Sequence, residues 1–159
     1  MLSFNTLAVL FAVAITLHNI EEAIWLPGWS KTAGRWHHPV SAKTFRFAVT
    51  VLTLLGYAFA ALAIFYGKQS IGAYLLTGYA LAMFLNVFMP HTVATLALKR
   101  YAPGIGTAVL LNLPITAALV YVSVSQGYVD LNRFYIAGPA VVLGILISIP
   151  ALFFIGNRL

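Results

Sequence analysis

Residues Phe4 to Leu26 read FNTLAVLFAVAITLHNIEEAIWL, and this stretch decides the fold. It exceeds the roughly 20 apolar residues that a membrane-spanning helix needs. Within it, His18, Glu21 and Glu22 are the only titratable side chains, and the two glutamates are two of the three acidic residues in the chain. An acidic side chain at the centre of a spanning helix costs about 2.5 to 3.5 kcal/mol, so it is usually retained for a partner, a proton or a metal. This cluster is therefore the first place to look for a function.

The composition indicates a membrane protein. Of the 159 residues, 62% are hydrophobic and only 8% are charged, which lies far outside the usage of soluble domains. The absence of cysteine excludes disulfides, thiolate metal sites and cysteine nucleophiles. The net charge of +6 comes from basic residues spread over short segments rather than gathered in one stripe, so we expect the lipid bilayer and no nucleic acid as partner.

Apolar runs predict an all-α, polytopic membrane helix bundle that forms a single domain over residues 1–159. The N-terminal run lacks a basic n-region and a small-residue cleavage site, so we expect it to be a mature helix rather than a signal peptide. The longest connection, Pro27 to Lys43, is predicted to lie at the membrane interface. The five predicted helices are Phe4–Leu26, Thr44–Tyr66, Ile71–Leu98, Gly104–Ser125 and Phe134–Ile155.

Basic residues predict the orientation of the bundle, because short cytoplasmic loops carry an excess of lysine and arginine. Seven of the nine fall on the side of the first loop, the third loop and the C-terminus, and the two on the other side are Lys68 and Arg133. We therefore expect the N-terminus outside and the C-terminus in the cytoplasm. The seven are Lys31, Arg35, Lys43, Arg46, Lys99, Arg100 and Arg158.

This orientation places several polar residues in one layer near the cytoplasmic leaflet. The first and third helices both run inward, and His18 and His91 each lie about seven residues from the inner end, so at about 1.5 Å per residue their imidazoles reach a similar depth. Asn112, on the outward-running fourth helix, reaches a comparable depth. The pair His37 and His38 lies in the first loop on the same side, where it would cap such a site or simply be solvated.

The spacing of His18, Glu21 and Glu22 predicts a divided role for the glutamates. Both are on the histidine's face of the helix, three and four residues away, but they diverge from each other by about 100°. We expect one glutamate to join His18 and His91, and the other to orient a histidine or to meet arginine or lysine from the loops. The simpler alternative is a hydrogen bond between His18 and Glu22, with Glu21 reaching to the interface.

A family resemblance follows from three sequence elements in order: His18-Asn-Ile-Glu21-Glu22, the later His91, and Tyr101-Ala-Pro-Gly104. Together they resemble the HXXEE family of small bacterial membrane proteins, which is known by this motif and has no assigned reaction. The resemblance implies a bacterial inner-membrane location. It also adds Tyr101 as a candidate residue, beside a turn at the inner mouth of the site.

The site predicts two classes of function. In the first, His18, Glu22 and His91 bind a divalent metal such as zinc, and His18, Glu21 and Glu22 carry catalysis on a lipid-soluble small molecule, with a glutamate as base. In the second, the same cluster binds or carries protons, a metal or a small ligand without turnover, and a homo-oligomer would suit such a role. Asn112, Tyr101 and His38 are further candidates in either case. The sequence does not decide between them.

Overall fold

The computed structural model describes residues 2–34 and 38–159 as a bundle of helices, with no strand among these residues. Each of five helices is long and apolar enough to cross a membrane. The prediction of an all-α membrane helix bundle with five spans is therefore confirmed. The helices are α1 (Phe4–Ser30), α2 (Ala42–Tyr66), α3 (Ile71–Leu98), α4 (Ile105–Ser125) and α5 (Leu131–Gly156).

Four of the five helices begin at a side chain that caps their free backbone N–H groups. Ser3, Ser41 and Ser70 each accept a hydrogen bond at 3.1 Å from the backbone N–H three residues later. Asp130, the only acid outside the cluster on α1, does the same for α5 at 3.0 Å. Such caps stabilise a helix by about 1 kcal/mol each. The cap at Asp130 explains why α5 begins three residues before the predicted Phe134.

Helix α1 continues past the predicted end at Leu26, and this part of the prediction was wrong. Pro27 lies inside the helix, where its missing N–H cannot bond the carbonyl oxygen of Ala23. The Arg46 Nε donates to that oxygen instead, at 3.3 Å, and so replaces the hydrogen bond that the proline cannot make. The first connection is therefore shorter than predicted, and its Arg35, Trp36 and His37 lie outside the described residues.

The core of the bundle lies where α1 and α3 meet the other helices. Helix α1 packs against α2 and α4, and α3 packs against α2, α4 and α5. Gly72 allows α3 to approach α2 closely, since a Cβ there would lie 2.6 Å from the Ala63 nitrogen. The largest buried side chains are Phe4, Leu7, Phe11, Ile15, Leu76, Tyr79 and Leu119.

Two helices are irregular at the level of the candidate site. Helix α3 breaks at Met89, whose φ of −127° and ψ of 116° are extended. The following Pro90 explains the break, because a residue before proline is driven out of the helical region. Helix α4 opens into a π-helical turn over Ala108–Asn112. Turns of this kind are frequent at functional sites.

Candidate functional site

Three potential metal ligands converge from α1 and α3. The Glu22 Oε2 lies 3.7 Å from the His18 Nε2, and the Glu22 Oε1 lies 3.5 Å from the His91 Nε2. The centroids of the two imidazole rings are 5.0 Å apart, with the ring planes perpendicular. His18 and His91 are buried, at 1% and 3% exposure. The predicted adjacency of the two histidines is thus present, although they are far apart in the sequence.

These distances suit a shared cation better than direct hydrogen bonds. An N–H···O hydrogen bond measures about 2.7 to 3.2 Å, and both histidine–carboxylate distances are longer. With metal–ligand bonds of about 2.0 to 2.2 Å, the donor atoms of tetrahedral zinc lie about 3.4 Å apart. One donor atom from each of His18, Glu22 and His91 lies within 4.8 Å of the other two. The set is compact enough to bind a divalent metal after a small closure.

Glu21 points away from these ligands and binds the N-terminal end of α4. Its Oε1 accepts hydrogen bonds from the Gly104 N–H at 2.8 Å and from the Tyr101 hydroxyl. Its Oε2 accepts from the Thr107 N–H at 3.1 Å and from the Thr107 hydroxyl at 2.7 Å. A carboxylate is favourable here because a helix N-terminus carries free N–H groups and a partial positive charge. No lysine or arginine nitrogen lies within 4.0 Å of either glutamate in the described part of the chain.

Thr107 connects Glu21 to His18. Its hydroxyl donates to Glu21 and lies 3.1 Å from the His18 Nδ1. Since the hydroxyl hydrogen is directed to the carboxylate, the imidazole Nδ1–H donates to the hydroxyl oxygen, and the His18 Nε2 then carries the lone pair. Metal-binding histidines are usually oriented through their second nitrogen in this way. No sequence pattern indicated Thr107; its only signal was its place in the first turn after the Tyr-x-Pro-Gly element.

His91 presents its ring to the same point. Its Nε2 has no hydrogen-bond partner among residues 2–34 and 38–159. The backbone of Pro103 is the hydrogen-bonding neighbour of the ring. An unpaired nitrogen at a buried position is unfavourable, and a bound cation would satisfy it.

Gly104 permits this close arrangement. Its φ of +91° belongs to the left-handed region that favours glycine. A Cβ at this position would lie 2.6 Å from the His91 Cε1, 2.9 Å from the His18 Cε1 and 3.0 Å from the Glu22 Cγ. His18, Glu22 and His91 are called the ligand cluster below. The turn at residue 104 closes one side of this cluster, and no larger residue fits there.

Tyr101 supports the turn from its outer side. Its hydroxyl donates to Glu21 and accepts from the Gly106 N–H at 3.1 Å. Burial and the hydrogen bond to Glu21 both raise the pKa of the Tyr101 phenol, so it remains a neutral donor at physiological pH. The Tyr-x-Pro-Gly element and Glu21 thus form one hydrogen-bonded unit behind the ligand cluster.

A cavity of about 420 Å³ adjoins the other side of the cluster. His18, Asn19, Glu22, Asn86 and His91 are polar residues of its wall, and most of its remaining lining is apolar. Among the described residues, the lining comes from α1, α2, α3, α5 and the turn after α3, and none of it comes from α4. Apolar wall residues include Leu26, Phe45, Val49, Leu52, Met83, Ile145, Ile149 and Phe153.

The remaining sequence candidates lie outside the cavity wall that the structure describes. Asn112 is fully buried on α4, and neither of its amide atoms has a hydrogen-bond partner in the described part of the chain. His38 is exposed in the connection after α1. The described residues therefore bring His18, Glu22 and His91 together, with Glu21 and Tyr101 behind them, and leave Asn112 and His38 apart.

Comparison with known proteins agrees with these observations. The model of a family described as "Protein of unknown function with HXXEE motif" matches residues 9–119, which include both glutamates and both buried histidines. The chain is 37% identical over 148 residues to "Uncharacterized protein YrkK" of Bacillus subtilis (strain 168), covering 93% of this chain and 94% of that protein. No solved structure matches the chain. The resemblance expected from the three sequence elements is confirmed, and the chain belongs to the HXXEE family.

Proposed function

We propose that this protein is a metal-dependent membrane enzyme that acts on a lipid-soluble small molecule. One observation carries the proposal: Glu22 lies between the Nε2 atoms of His18 and His91, at the polar end of an apolar cavity. Two imidazoles and one carboxylate form a ligand set that suits zinc and leaves a fourth position for water or substrate. A bound metal would supply Lewis acidity and an activated water.

The residues around the ligands have separate tasks in this proposal. His18, Glu22 and His91 hold the metal. Glu21 accepts four hydrogen bonds, so it has little capacity to act as a base, and it positions His18 through Thr107 instead. The apolar wall excludes water and binds the hydrocarbon part of the substrate.

Metal analysis tests the first half of the proposal. We expect the purified protein to contain about one zinc or other divalent ion per chain, and Glu22→Gln and His91→Ala to lose it while remaining folded. Asp130→Asn is the matched control for loss of a carboxylate, since asparagine also caps a helix. His38→Ala is the control for loss of a histidine. Full metal retention in both ligand variants would refute the site.

Turnover tests the second half. Membrane lipid and quinone extracts are incubated with the metal-loaded protein and compared by mass spectrometry. We expect a chemical conversion that disappears with Glu22→Gln and persists with Asp130→Asn. Metal binding with no conversion of any extract component would favour the carrier or binding protein over the enzyme.

The same proposal includes a location in the bacterial inner membrane with the N-terminus outside. Its support is the distribution of basic residues, seven on one side and two on the other. Reporter fusions in the connection after α1 and in the connection after α2 test it. We expect a cytoplasmic signal from the first and an external signal from the second, and the reverse pattern would place the ligand cluster near the outer leaflet.

A further inference from the structure

The cavity beside the ligand cluster is open along one side of the bundle. Three large apolar residues of its wall are also strongly exposed: Leu85 at 47%, Met89 at 62% and Leu146 at 55%. Leu85 and Met89 belong to α3, and Leu146 belongs to α5. In a chain that spans a membrane, such side chains face hydrocarbon rather than water. The cavity therefore communicates with the interior of the bilayer between α3 and α5.

The path of α5 explains this opening. In its first half α5 packs on α3, where a Cβ at Gly78 would lie 2.6 Å from the Val141 Cβ. In its second half α5 packs on α2, where the Phe153 and Phe45 rings are 6.1 Å apart. Helix α5 thus crosses from one neighbour to the other and leaves the second half of α3, which breaks at Met89, uncovered.

The charge of the wall restricts what can bind. No lysine or arginine is among the residues that line the cavity in the described part of the chain, and Glu22 is its only carboxylate. A phosphate headgroup would therefore find no cationic side chain to pair with and would be neutralised only by the metal of the proposed function, beside the Glu22 carboxylate, which is unfavourable. An uncharged oxygen function such as an ester, an alcohol or a ketone brings no charge into the cavity, and its lone pair would face the metal of the proposed function.

The size of the cavity restricts the ligand further. About 420 Å³ lies in the lower part of the range for pockets that bind drug-sized molecules, about 300 to 1,000 Å³. One hydrocarbon chain with a small head fits this volume, whereas two acyl chains and a phosphate headgroup do not fit inside it together.

We propose that a single-chain amphiphile with an uncharged, oxygen-bearing head enters this cavity sideways from the bilayer, through the gap between Leu85, Met89 and Leu146. The oxygen function then lies at His18 and Glu22, and the chain lies along the wall formed by α2 and α5. This inference rests on the proposed function for the identity of the reacting end. The route is inferred from the exposure of the three wall residues, and the class of ligand is inferred from the volume of the cavity and the charge of its wall.

Photolabelling in vesicles of phosphatidylcholine tests the proposal. The probe is a long-chain primary alcohol that carries a diazirine in its chain, and the comparison probe is phosphatidylcholine with the same diazirine chain. We expect the alcohol to label cavity residues of α3 and α5, and the phospholipid to label only lipid-facing residues. Equal labelling of the cavity by both probes would overturn the single-chain assignment.

Variants test the route. Leu146→Trp fills the gap and should keep about two methylenes of the probe chain out of the cavity. We therefore expect labelling of the cavity to fall by about tenfold. Ile147→Trp is the matched control, because Ile147 is 68% exposed on the same helix and does not line the cavity. Its labelling should match that of the unmodified chain. Leu85→Trp provides a second block if Leu146→Trp does not fold, and equal labelling in the blocked and control variants would overturn the lateral route.

Metal content separates this inference from the proposed function. Each labelling experiment is repeated after treatment with a chelator, and the metal content is measured in the same sample. Cavity labelling in a protein that never binds metal would refute the proposed function and support the lateral route. Stoichiometric metal without labelling of the cavity would support the metal site and refute the lateral route.

Discussion

Replacing Gly104 by alanine should damage the ligand cluster directly, because the added methyl group would contact all three of its residues. The φ of +91° costs alanine about 1 to 2 kcal/mol. The added Cβ would also lie 2.6 Å from the His91 ring and 2.9 Å from the His18 ring, and overpacking of this kind costs about 1 to 3 kcal/mol. The two terms sum to roughly 2 to 5 kcal/mol of lost stability.

Gly127→Ala is the matched control for this change. Gly127 also has a positive φ, +72°, but a Cβ there meets nothing within 4 Å. Gly127→Ala should therefore lose only the stability that a positive φ costs alanine, about 1 to 2 kcal/mol. The difference between the two variants isolates the contact with the histidines.

Denaturant unfolding in detergent, followed by circular dichroism, measures the stability of both variants. Metal competition measures the second effect, since displaced histidine rings should weaken metal binding by at least about tenfold, as changes around metal ligands typically do. Equal stability and equal metal affinity of the Gly104→Ala and Gly127→Ala proteins would refute the packing described around residue 104.

Two further changes test other contacts. Thr107→Val removes the hydroxyl that orients His18 and should weaken metal binding by about 10- to 100-fold, while Thr107→Ser should retain it; equal losses in a metal titration would mean that the hydroxyl does not matter. Pro27→Ala restores the N–H that bonds the Ala23 carbonyl, so Arg46→Met should cost about 1 kcal/mol less in that background than in the unmodified chain. A double-mutant cycle of unfolding free energies measures this difference, and additive effects would contradict the assigned role of Arg46.

Much of the fold could be predicted from the sequence, because a helix that spans a bilayer is specified by its own apolar length. The end of α1 could not. A proline normally ends a helix unless another group replaces its missing N–H, and the replacement here comes from Arg46 on the next helix. Such a tertiary hydrogen bond leaves no periodic signal in one sequence.

The candidate site could be predicted in part for a similar reason. Because α1 and α3 run in the same direction, the equal depth of His18 and His91 was enough to predict that they lie close together. Adjacent residues of a helix point about 100° apart, and this angle predicted separate roles for the two glutamates. Which glutamate joins the histidines depends on the rotation of α1 against α4, and helical periodicity does not determine this rotation. Thr107 was missed because its role comes from that same contact.

The crossing path of α5 has a consequence for how the chemistry and the choice of substrate are distributed. All three candidate ligands and the hydrogen bonds that hold them belong to α1, α3, α4 and the turn before α4, while α5 contributes only wall. The family match over residues 9–119 likewise contains every candidate ligand and stops before α5. In the proposed function, the last helix therefore bears only on which molecule the cavity accepts: substitutions along its wall should change the accepted molecule without moving the three candidate ligands.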